Sequence, residues 1–253
     1  MSRGSKRKDI ILYSVLSIVV ILAFFSIGFF VLRPIILSFQ PPFEPLDIPK
    51  SDRPEVHAFI MSYCPYGLQF LKAYIPVIEL LGDKADIEVN FVPYIMHGEN
   101  ELIDNNNFYC VQKEQKDKFT NYLRCFIENN GSHEQCVGDV GIDGASHSTC
   151  LQQVEEDFKV TESFKSSNKT VTPYPIDAEL AQVYNVRGSP SFGINGQSVT
   201  VRRSAEAIKQ AICAAFNSPP KECSETLNLN IELPGFGPLG AGTQNSLSGG
   251  VCG

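Results

Sequence analysis

The change of pattern between residues 55 and 82 constrains the fold most, because it joins a buried strand directly to a helix. The run "EVHAFIMSY" (55–63) has the length and apolar character of a buried strand. From Pro65 to Gly82 the apolar residues recur at helical spacing, and Pro76 predicts a kink in this helix. The apolar positions are Leu68, Leu71, Ile75, Ile78 and Leu81. A strand that leads into a helix begins a crossover unit, which favours an α/β sheet.

Later segments continue the alternation of strands and helices. "DIEVNFVPYI" (86–95) predicts a second strand, and residues 107–157 are typical of helices. A short helix over Asp177–Tyr184, a strand after Pro190, a strand "SVTVRR" and a last helix "SAEAIKQAICAAF" follow. Asn195-Gly196 between the last two strands is a hairpin signal. The expected fold is an α/β sheet to which a final hairpin adds antiparallel strands.

A stretch of 23 residues without a charge, Ile10–Leu32, predicts a transmembrane anchor at 10–32. As a helix it would extend about 35 Å, it has no polar stripe, and no signal-peptide cleavage site follows it. Basic residues are concentrated before the stretch, so residues 1–9 are expected in the cytoplasm and the remainder outside. The sequence therefore predicts a single-pass membrane protein with an extracytoplasmic domain.

The part beyond the anchor is acidic and rich in cysteine. Residues 34–253 carry 16 Lys and Arg against 27 Asp and Glu, and the net charge of −11 excludes a nucleic-acid-binding surface. A Pro-rich linker spans 33–54, and the domain spans 55–223 with a helical insertion at about 105–160. The tail at 224–253 is rich in Gly and Ser and is predicted to be flexible. All eight cysteines lie in this part, where they favour disulfides, and no metal or cofactor is predicted.

Cys64 lies where the first strand meets the first helix. Backbone N–H groups at a helix N-terminus stabilise a thiolate, the nucleophilic form of the sulfur. Pro65 suits the first helical turn because it has no N–H to leave unpaired. Cys64-Pro65-Tyr66 begins like a C-x-x-C redox motif, but Gly67 stands at the position of the second cysteine. The sequence therefore predicts a single nucleophilic sulfur at this junction.

A second motif, "VRGSPSFGING" (186–196), places Pro190 between a helix and a strand. Together with Cys64-Pro65 it resembles the DsbA-like branch of the thioredoxin superfamily, whose V-x-G-T-P-x-x-x-x-N-G motif has Ser189 here in place of Thr. The cysteine-containing insertion is similar, more distantly, to the lysosomal thiol reductases induced by gamma-interferon. The resemblance implies a thioredoxin fold over about residues 55–216. It also implies that a cis-Pro190 faces Cys64 and that the Ser189 backbone binds the substrate peptide.

Gly67 leaves three explanations open. In the first, Cys64 acts alone and a small thiol such as glutathione releases the substrate, which suits a reductase or an isomerase. In the second, a distant thiol resolves the mixed disulfide, either Cys252 in the tail or Cys110 after the second strand. In the third, the fold is a redox-inactive module or chaperone that binds peptides or proteins.

The favoured interpretation is a membrane-anchored, extracytoplasmic thiol–disulfide oxidoreductase that acts on protein disulfides through Cys64. Its expected partners are proteins with disulfides or thiols, together with a small thiol or a membrane redox partner. Pro65, Tyr66, Gly67 and His97 are the expected supporting residues of the site. His97 follows the second strand, where it either stabilises the thiolate or is an ordinary surface residue in a turn.

The other six cysteines are expected to form structural disulfides. A turn at "ENNGSH" (128–133) would fold the helical insertion into an antiparallel hairpin, which brings its four cysteines together in nested pairs. A third bridge would attach the last helix to the segment that follows it. The predicted pairs are Cys110–Cys150, Cys125–Cys136 and Cys213–Cys223.

Overall fold

The computed structural model describes residues 47–167, 170–247 and 249–253. The predicted cytoplasmic tail, the predicted anchor and most of the Pro-rich linker lie outside these residues. Among the helices of the described ranges, none has both the length and the hydropathy that a membrane span requires. The structure therefore bears on the domain that follows the linker, which forms one compact unit from Asp47 to Gly253.

A mixed four-stranded sheet forms the centre of this domain, in the order β2-β1-β5-β6. A separate two-stranded sheet pairs β3 with β4. The strands are β1 (Glu55–Ile60), β2 (Asp86–Phe91), β3 (Tyr94–Ile95), β4 (Thr172–Pro173), β5 (Ser191–Ile194) and β6 (Gln197–Ser198). The helices are α1 (Pro65–Leu81), α2 (Glu99–Glu114), α3 (Lys116–Glu128), α4 (His133–Val140), α5 (Gly144–Phe158), α6 (Val160–Ser166), α7 (Ala178–Val183) and α8 (Ala205–Ala214).

The connection of these elements is that of a thioredoxin-type fold. β1 runs parallel to β2 through the crossover helix α1 and antiparallel to β5, which forms a hairpin with β6. α8 follows the hairpin and packs against α1. Because β1 has neighbours on both sides and is buried from Val56 to Ile60, the residues after it are held at the centre of the sheet edge. The α/β fold expected from the sequence is confirmed, and α1 continues through Pro76 as one helix.

The boundaries of two predicted strands differ from the sequence pattern. Pro93 divides the expected strand 86–95, so that β2 ends at Phe91 and β3 begins at Tyr94. Of the expected strand "SVTVRR" (198–203), only Ser198 lies in the sheet, where it ends β6 (Gln197–Ser198). The last residue of that run, Arg203, instead hydrogen-bonds to a side chain of α1.

Local turn chemistry agrees with the sequence. Asn195 and Gly196 both have positive φ, 48° and 79°, as a tight two-residue hairpin requires. The helical insertion extends from α2 to α6 and is therefore longer at both ends than the expected residues 105–160. Gly141 ends α4 with φ 69°, and the Asp143 carboxylate caps α5 by accepting from two backbone N–H groups.

The C-terminal segment, predicted to be a flexible tail, packs along the domain instead of extending from it. The Glu206 carboxylate accepts from Leu227 N at 2.7 Å, and Gly235 N donates to Pro65 O at 2.8 Å. Phe236 packs edge-on against Tyr63, with ring centroids 5.7 Å apart. These polar and aromatic contacts lack helical or strand periodicity, so a search for apolar repeats does not reveal them.

All eight cysteines lie within the described residues and all are paired. The three bridges outside the site join Cys110 to Cys150, Cys125 to Cys136 and Cys213 to Cys223, the same pairs as the sequence predicts. Since Cys110 is buried and already bridged, it is not available as the thiol that resolves a mixed disulfide.

Candidate active site

Cys64 caps the N-terminus of α1 and is completely buried. Its Sγ accepts from Gly67 N at 3.4 Å, and its carbonyl accepts from Leu68 N at 2.9 Å. β1 therefore delivers the cysteine to the position where the unpaired N–H groups of a 17-residue helix point. The Gly67 N–H group that contacts the sulfur in the disulfide would also stabilise its negative charge after reduction.

The Ser189-Pro190 peptide bond is cis and lies beside Cys64. Ser189 is fully buried, and its Oγ accepts from Met61 N at 3.0 Å. Ser189 O lies 3.4 Å from Cys64 Sγ. A disulfide sulfur has no proton to donate, so this approach becomes a hydrogen bond only when Cys64 is a thiol. The loop is thus hydrogen-bonded to Met61, the residue that follows β1, and lies against the sulfur of Cys64.

Gly67 has no space for a side chain. A Cβ at this position would lie 2.5 Å from Ser189 Oγ and 3.1 Å from Met61 O. The residue that breaks the C-x-x-C pattern is therefore the residue that lets the Ser189 loop approach α1. A second cysteine at position 67 is incompatible with the observed packing of this site.

The second sulfur of the site comes from the C-terminal segment. Cys252 is disulfide-bonded to Cys64, with the two Cα atoms 6.1 Å apart. Ser189 N donates to Cys252 O at 2.7 Å, and Cys252 N donates to Ser189 O at 2.8 Å. Cys252 is thus paired with Ser189 in the manner of an added antiparallel strand, in the place where the family resemblance puts a substrate peptide. Cys252 remains partly exposed, unlike Cys64.

Two polar side chains, Gln69 and Arg203, bind the backbone of the C-terminal segment just before Cys252. Gln69 Nε2 donates to Leu247 O at 2.6 Å, and its Oε1 accepts from Arg203 at 2.8 Å. Arg203 also donates to Gly250 O, and its guanidinium carbon lies 5.6 Å from the centre of the Tyr66 ring. Burial lowers the pKa of Arg203. Neither Gln69 nor Arg203 was predicted from the sequence as a site residue. The pattern that could have indicated Gln69 is a polar residue on the apolar face of α1.

A buried polar cluster on α2 supports the loop before Cys64. Ser62 N donates to Asn105 Oδ1 at 3.1 Å, and Ser62 Oγ donates to Glu101 O at 3.3 Å. Tyr63 OH donates to Asp104 Oδ2 at 3.0 Å. Burial raises the pKa of both carboxyl groups, Glu101 and Asp104. These contacts fix the backbone of residues 62 and 63 and so determine the direction in which Cys64 faces.

The remaining predicted supporting residues lie around this centre. His97 pairs through Nδ1 with the buried Glu101 carboxylate, so its contact is with the polar cluster on α2. Pro65 is exposed and stands at the first position of α1. Tyr66 is half-buried and packs with Cys64 and Cys252. The structure therefore brings Pro65, Tyr66 and Gly67 to the sulfur, and His97 to the loop support.

An open cavity of about 490 Å³ lies beside Pro190 and the C-terminal segment. Phe70 and Phe192 contribute apolar walls, and Arg187 contributes a charged side chain. Gly249 and Val251 line it from the C-terminal segment. In an extended chain alternate residues face the same side, so residues 249 and 251 face this cavity while Cys252 faces Cys64.

No protein-family model and no curated protein sequence matches the chain. Among solved structures, oxidised BdbD from Bacillus subtilis is 19% identical with a TM-score of 0.39, over 65% of this chain and 89% of that chain. MdbA, a thiol-disulfide oxidoreductase from Actinomyces oris, is 15% identical with a TM-score of 0.45, over 67% and 83%. Reduced DsbG from Mycobacterium tuberculosis, a disulfide bond oxidoreductase, is 15% identical with a TM-score of 0.47, over 71% and 92%. All three TM-scores are below 0.5.

Proposed function

We propose that this protein is a membrane-anchored, extracytoplasmic thiol–disulfide oxidoreductase that acts on protein thiols and disulfides. The observation that carries the proposal is the Cys64–Cys252 disulfide at the N-terminus of α1, beside Ser189. Two sulfurs are then available at one site, although Gly67 replaces the second cysteine of the local motif. This differs from the expectation that Cys64 works alone and needs an external thiol to release each substrate.

The proposed cycle begins with both cysteines reduced and the Cys64 sulfur present as a thiolate. The thiolate attacks one sulfur of a substrate disulfide; a Cys64–substrate disulfide forms and the other substrate sulfur leaves as a thiolate. The Cys252 thiolate then attacks Cys64 Sγ, which forms the Cys64–Cys252 disulfide and releases the second substrate thiolate. The substrate gains two electrons and the enzyme loses two. Two molecules of a small thiol, or one membrane-bound dithiol partner, then reduce the pair again and are themselves oxidised to a disulfide. The reverse sequence oxidises a substrate dithiol.

Cys64 is assigned the attacking role because of its position on α1. Gly67 N already contacts its sulfur, and the helix N-terminus favours negative charge there. Cys252 lies outside the helices and strands named for the described residues, so it does not stand at a helix N-terminus as Cys64 does. A sulfur stabilised in this way is present as thiolate to a larger extent near neutral pH than an ordinary cysteine sulfur. It is also the better leaving group when its disulfide is attacked.

The extracytoplasmic location is proposed from the sequence and fits the cysteine chemistry. The stretch Ile10–Leu32 supplies the anchor, and four disulfides are typical of a domain that folds in an oxidising compartment. Expression in cells followed by external protease treatment tests the topology. A protected fragment that contains the first 32 residues is expected, and complete protection of the domain would contradict the proposed orientation.

The decisive test of the activity uses the full chain in detergent with a peptide that contains one disulfide. We expect Cys252→Ser to accumulate a disulfide between Cys64 and the peptide, because the resolving sulfur is missing. Cys64→Ser should form none. A double variant that lacks the distant bridge, Cys213→Ser with Cys223→Ser, is the control and should turn over like the parent chain. Mass spectrometry after acid quenching and alkylation identifies each bonded pair.

A second candidate function is a peptide-binding module without turnover. The observation in its favour is that Ser189 binds an extended backbone through two hydrogen bonds, which by itself requires no thiol exchange. The two functions differ in one measurement. If the Cys64–Cys252 bond of the parent chain does not exchange with glutathione, and Cys64 of the Cys252→Ser variant takes up no peptide, the binding module is the correct function.

A further inference from the structure

The C-terminal segment lies in a groove beside Cys64, whose walls include Tyr66, Arg203 and Tyr94. Some glycine residues of this segment stand where the groove leaves no space for a side chain. A Cβ at Gly250, two residues before Cys252, would lie 2.0 Å from Tyr66 Cζ and 2.1 Å from Tyr66 Cε1. A Cβ at Gly249 would meet nothing within 4 Å. The two glycines are neighbours in sequence, yet only Gly250 is enclosed. The groove therefore distinguishes the two positions.

The Tyr66 ring is held in place over Gly250. Arg203 lies over the ring and also donates to Gly250 O. One side chain therefore contacts both the Tyr66 ring and the backbone of Gly250. Arg203 is only 6% exposed, and Gln69 Oε1 orients its guanidinium. A larger residue in place of Gly250 would have to displace Tyr66 and with it a buried, hydrogen-bonded arginine.

The position after the cysteine is enclosed as well. A Cβ at Gly253 would lie 2.7 Å from Arg187 O and 2.8 Å from Tyr94 Oη. Tyr94 OH donates to Arg187 O at 2.7 Å, so these two atoms form a fixed pair at this end of the groove. Val251, between the enclosed positions, lines the open cavity instead and is 62% exposed.

We propose that the groove at Cys64 selects extended protein segments in which glycine stands two residues before the reacting cysteine. Tyr66 and Arg203 are the specificity-determining residues for that position, and a small residue is preferred directly after the cysteine. The residue between the glycine and the cysteine is free to be large because it faces the cavity. This proposal rests on the proposed function and names the class of substrate that the site accepts. The segment 249–253 of the chain itself has this sequence pattern and occupies the groove.

The first test stays within the full chain and measures the Cys64–Cys252 bond against glutathione. At a fixed ratio of reduced to oxidised glutathione, alkylation and mass spectrometry give the fraction of bonded pair. We expect Gly250→Ala to make the bond about tenfold easier to reduce, in line with the cost of overpacking a fixed site. Gly249→Ala is the matched control and should change the equilibrium less than twofold. In a Tyr66→Ala background, Gly250→Ala should lose most of its effect, because the obstructing ring is gone.

The second test uses the Cys252→Ser chain and three peptides, each carried as a disulfide with glutathione. The peptides are Gly-Gly-Val-Cys-Gly, Gly-Ala-Val-Cys-Gly and Ala-Gly-Val-Cys-Gly. The Cys64 thiolate attacks the peptide sulfur; the Cys64–peptide disulfide forms and the glutathione thiolate leaves, so no net oxidation occurs. We expect the first and third peptides to react at equal rates and the second about tenfold more slowly.

The outcomes separate this inference from the proposed function. Equal rates for all three peptides, or equal effects of Gly250→Ala and Gly249→Ala, would overturn the glycine selection while leaving the oxidoreductase intact. If none of the peptides bonds to Cys64, the proposed function itself is wrong. A selectivity that survives in the Tyr66→Ala variant would show that other residues set it, which also overturns the assignment.

Discussion

Substitution of Gly67 by Ala tests the explanation of the broken C-x-x-C motif. The added Cβ would lie 2.5 Å from Ser189 Oγ and 3.1 Å from Met61 O, so the Ser189 hydroxyl or the loop that carries it must move. Overpacking of this kind costs about 1–3 kcal/mol, and loss of the Ser189–Met61 hydrogen bond adds about 1 kcal/mol. The better helix propensity of Ala returns about 1 kcal/mol. We therefore expect the free energy of unfolding to fall by about 1–3 kcal/mol.

Chemical denaturation of the fully oxidised chain, followed by circular dichroism, measures this difference. Gly138→Ala is the control, because Gly138 also lies in a helix but a Cβ there meets nothing within 4 Å. This control should not lose stability. In a Ser189→Ala background, which removes the obstructing hydroxyl, the cost of Gly67→Ala should shrink by about 1 kcal/mol or more. Equal losses of stability from Gly67→Ala and Gly138→Ala would refute the steric explanation. A loss from Gly67→Ala that is the same with Ser189 and with Ala at position 189 would also refute it. Gly67→Cys should be at least as destabilised and should not gain a local dithiol centre.

Two further predictions concern the clamp on the C-terminal segment and the dependence on pH. Arg203→Ala removes the contacts to Gln69, Gly250 and Tyr66, so the Cys64–Cys252 bond should become about 5- to 50-fold easier to reduce with glutathione, whereas Arg202→Ala, at an exposed residue, should change it little. Arg203→Lys keeps the charge without the planar fork and should restore only part of the loss. Burial lowers the pKa of His133 to about 4, while the unfolded residue titrates near its usual value of 6.5, so the unfolded chain binds the extra proton between these pH values. The contribution of His133 to the free energy of unfolding should therefore fall as the pH drops from 7 towards 4, by about 1–2 kcal/mol after allowance for partial exposure. In urea titrations at several pH values, His133→Gln should lose less stability over this range than the parent chain.

The sequence predicts the framework of the site because local patterns determine it. The strand before Cys64, the helix after it and the Asn195-Gly196 turn each follow from periodicity or from backbone conformation. The resemblance carried by "VRGSPSFGING" adds the cis bond at Pro190, which periodicity alone does not indicate. Fixing these few elements is enough to bring Cys64 and Ser189 together.

The remainder depends on contacts that have no pattern along the chain. The C-terminal segment is held by hydrogen bonds from Gln69 and Arg203 to backbone carbonyls, and such bonds can serve a segment of almost any composition. A Gly- and Ser-rich composition therefore predicts flexibility even where the segment is pinned. The reason for Gly67 is likewise visible only after folding, when Ser189 occupies the space that its side chain would need.

The Cys64–Cys252 bond joins residues 188 positions apart, so its oxidation state affects the free energy of unfolding of the whole domain. Closing a loop of that length removes enough entropy from the unfolded chain to stabilise the fold by about 5 kcal/mol in the chain-entropy model. Reduction of this bond is therefore expected to lower the free energy of unfolding, so a melting curve would report the oxidation state of the site. The bond to which the proposed redox chemistry is assigned therefore also sets how strongly the folded domain resists unfolding.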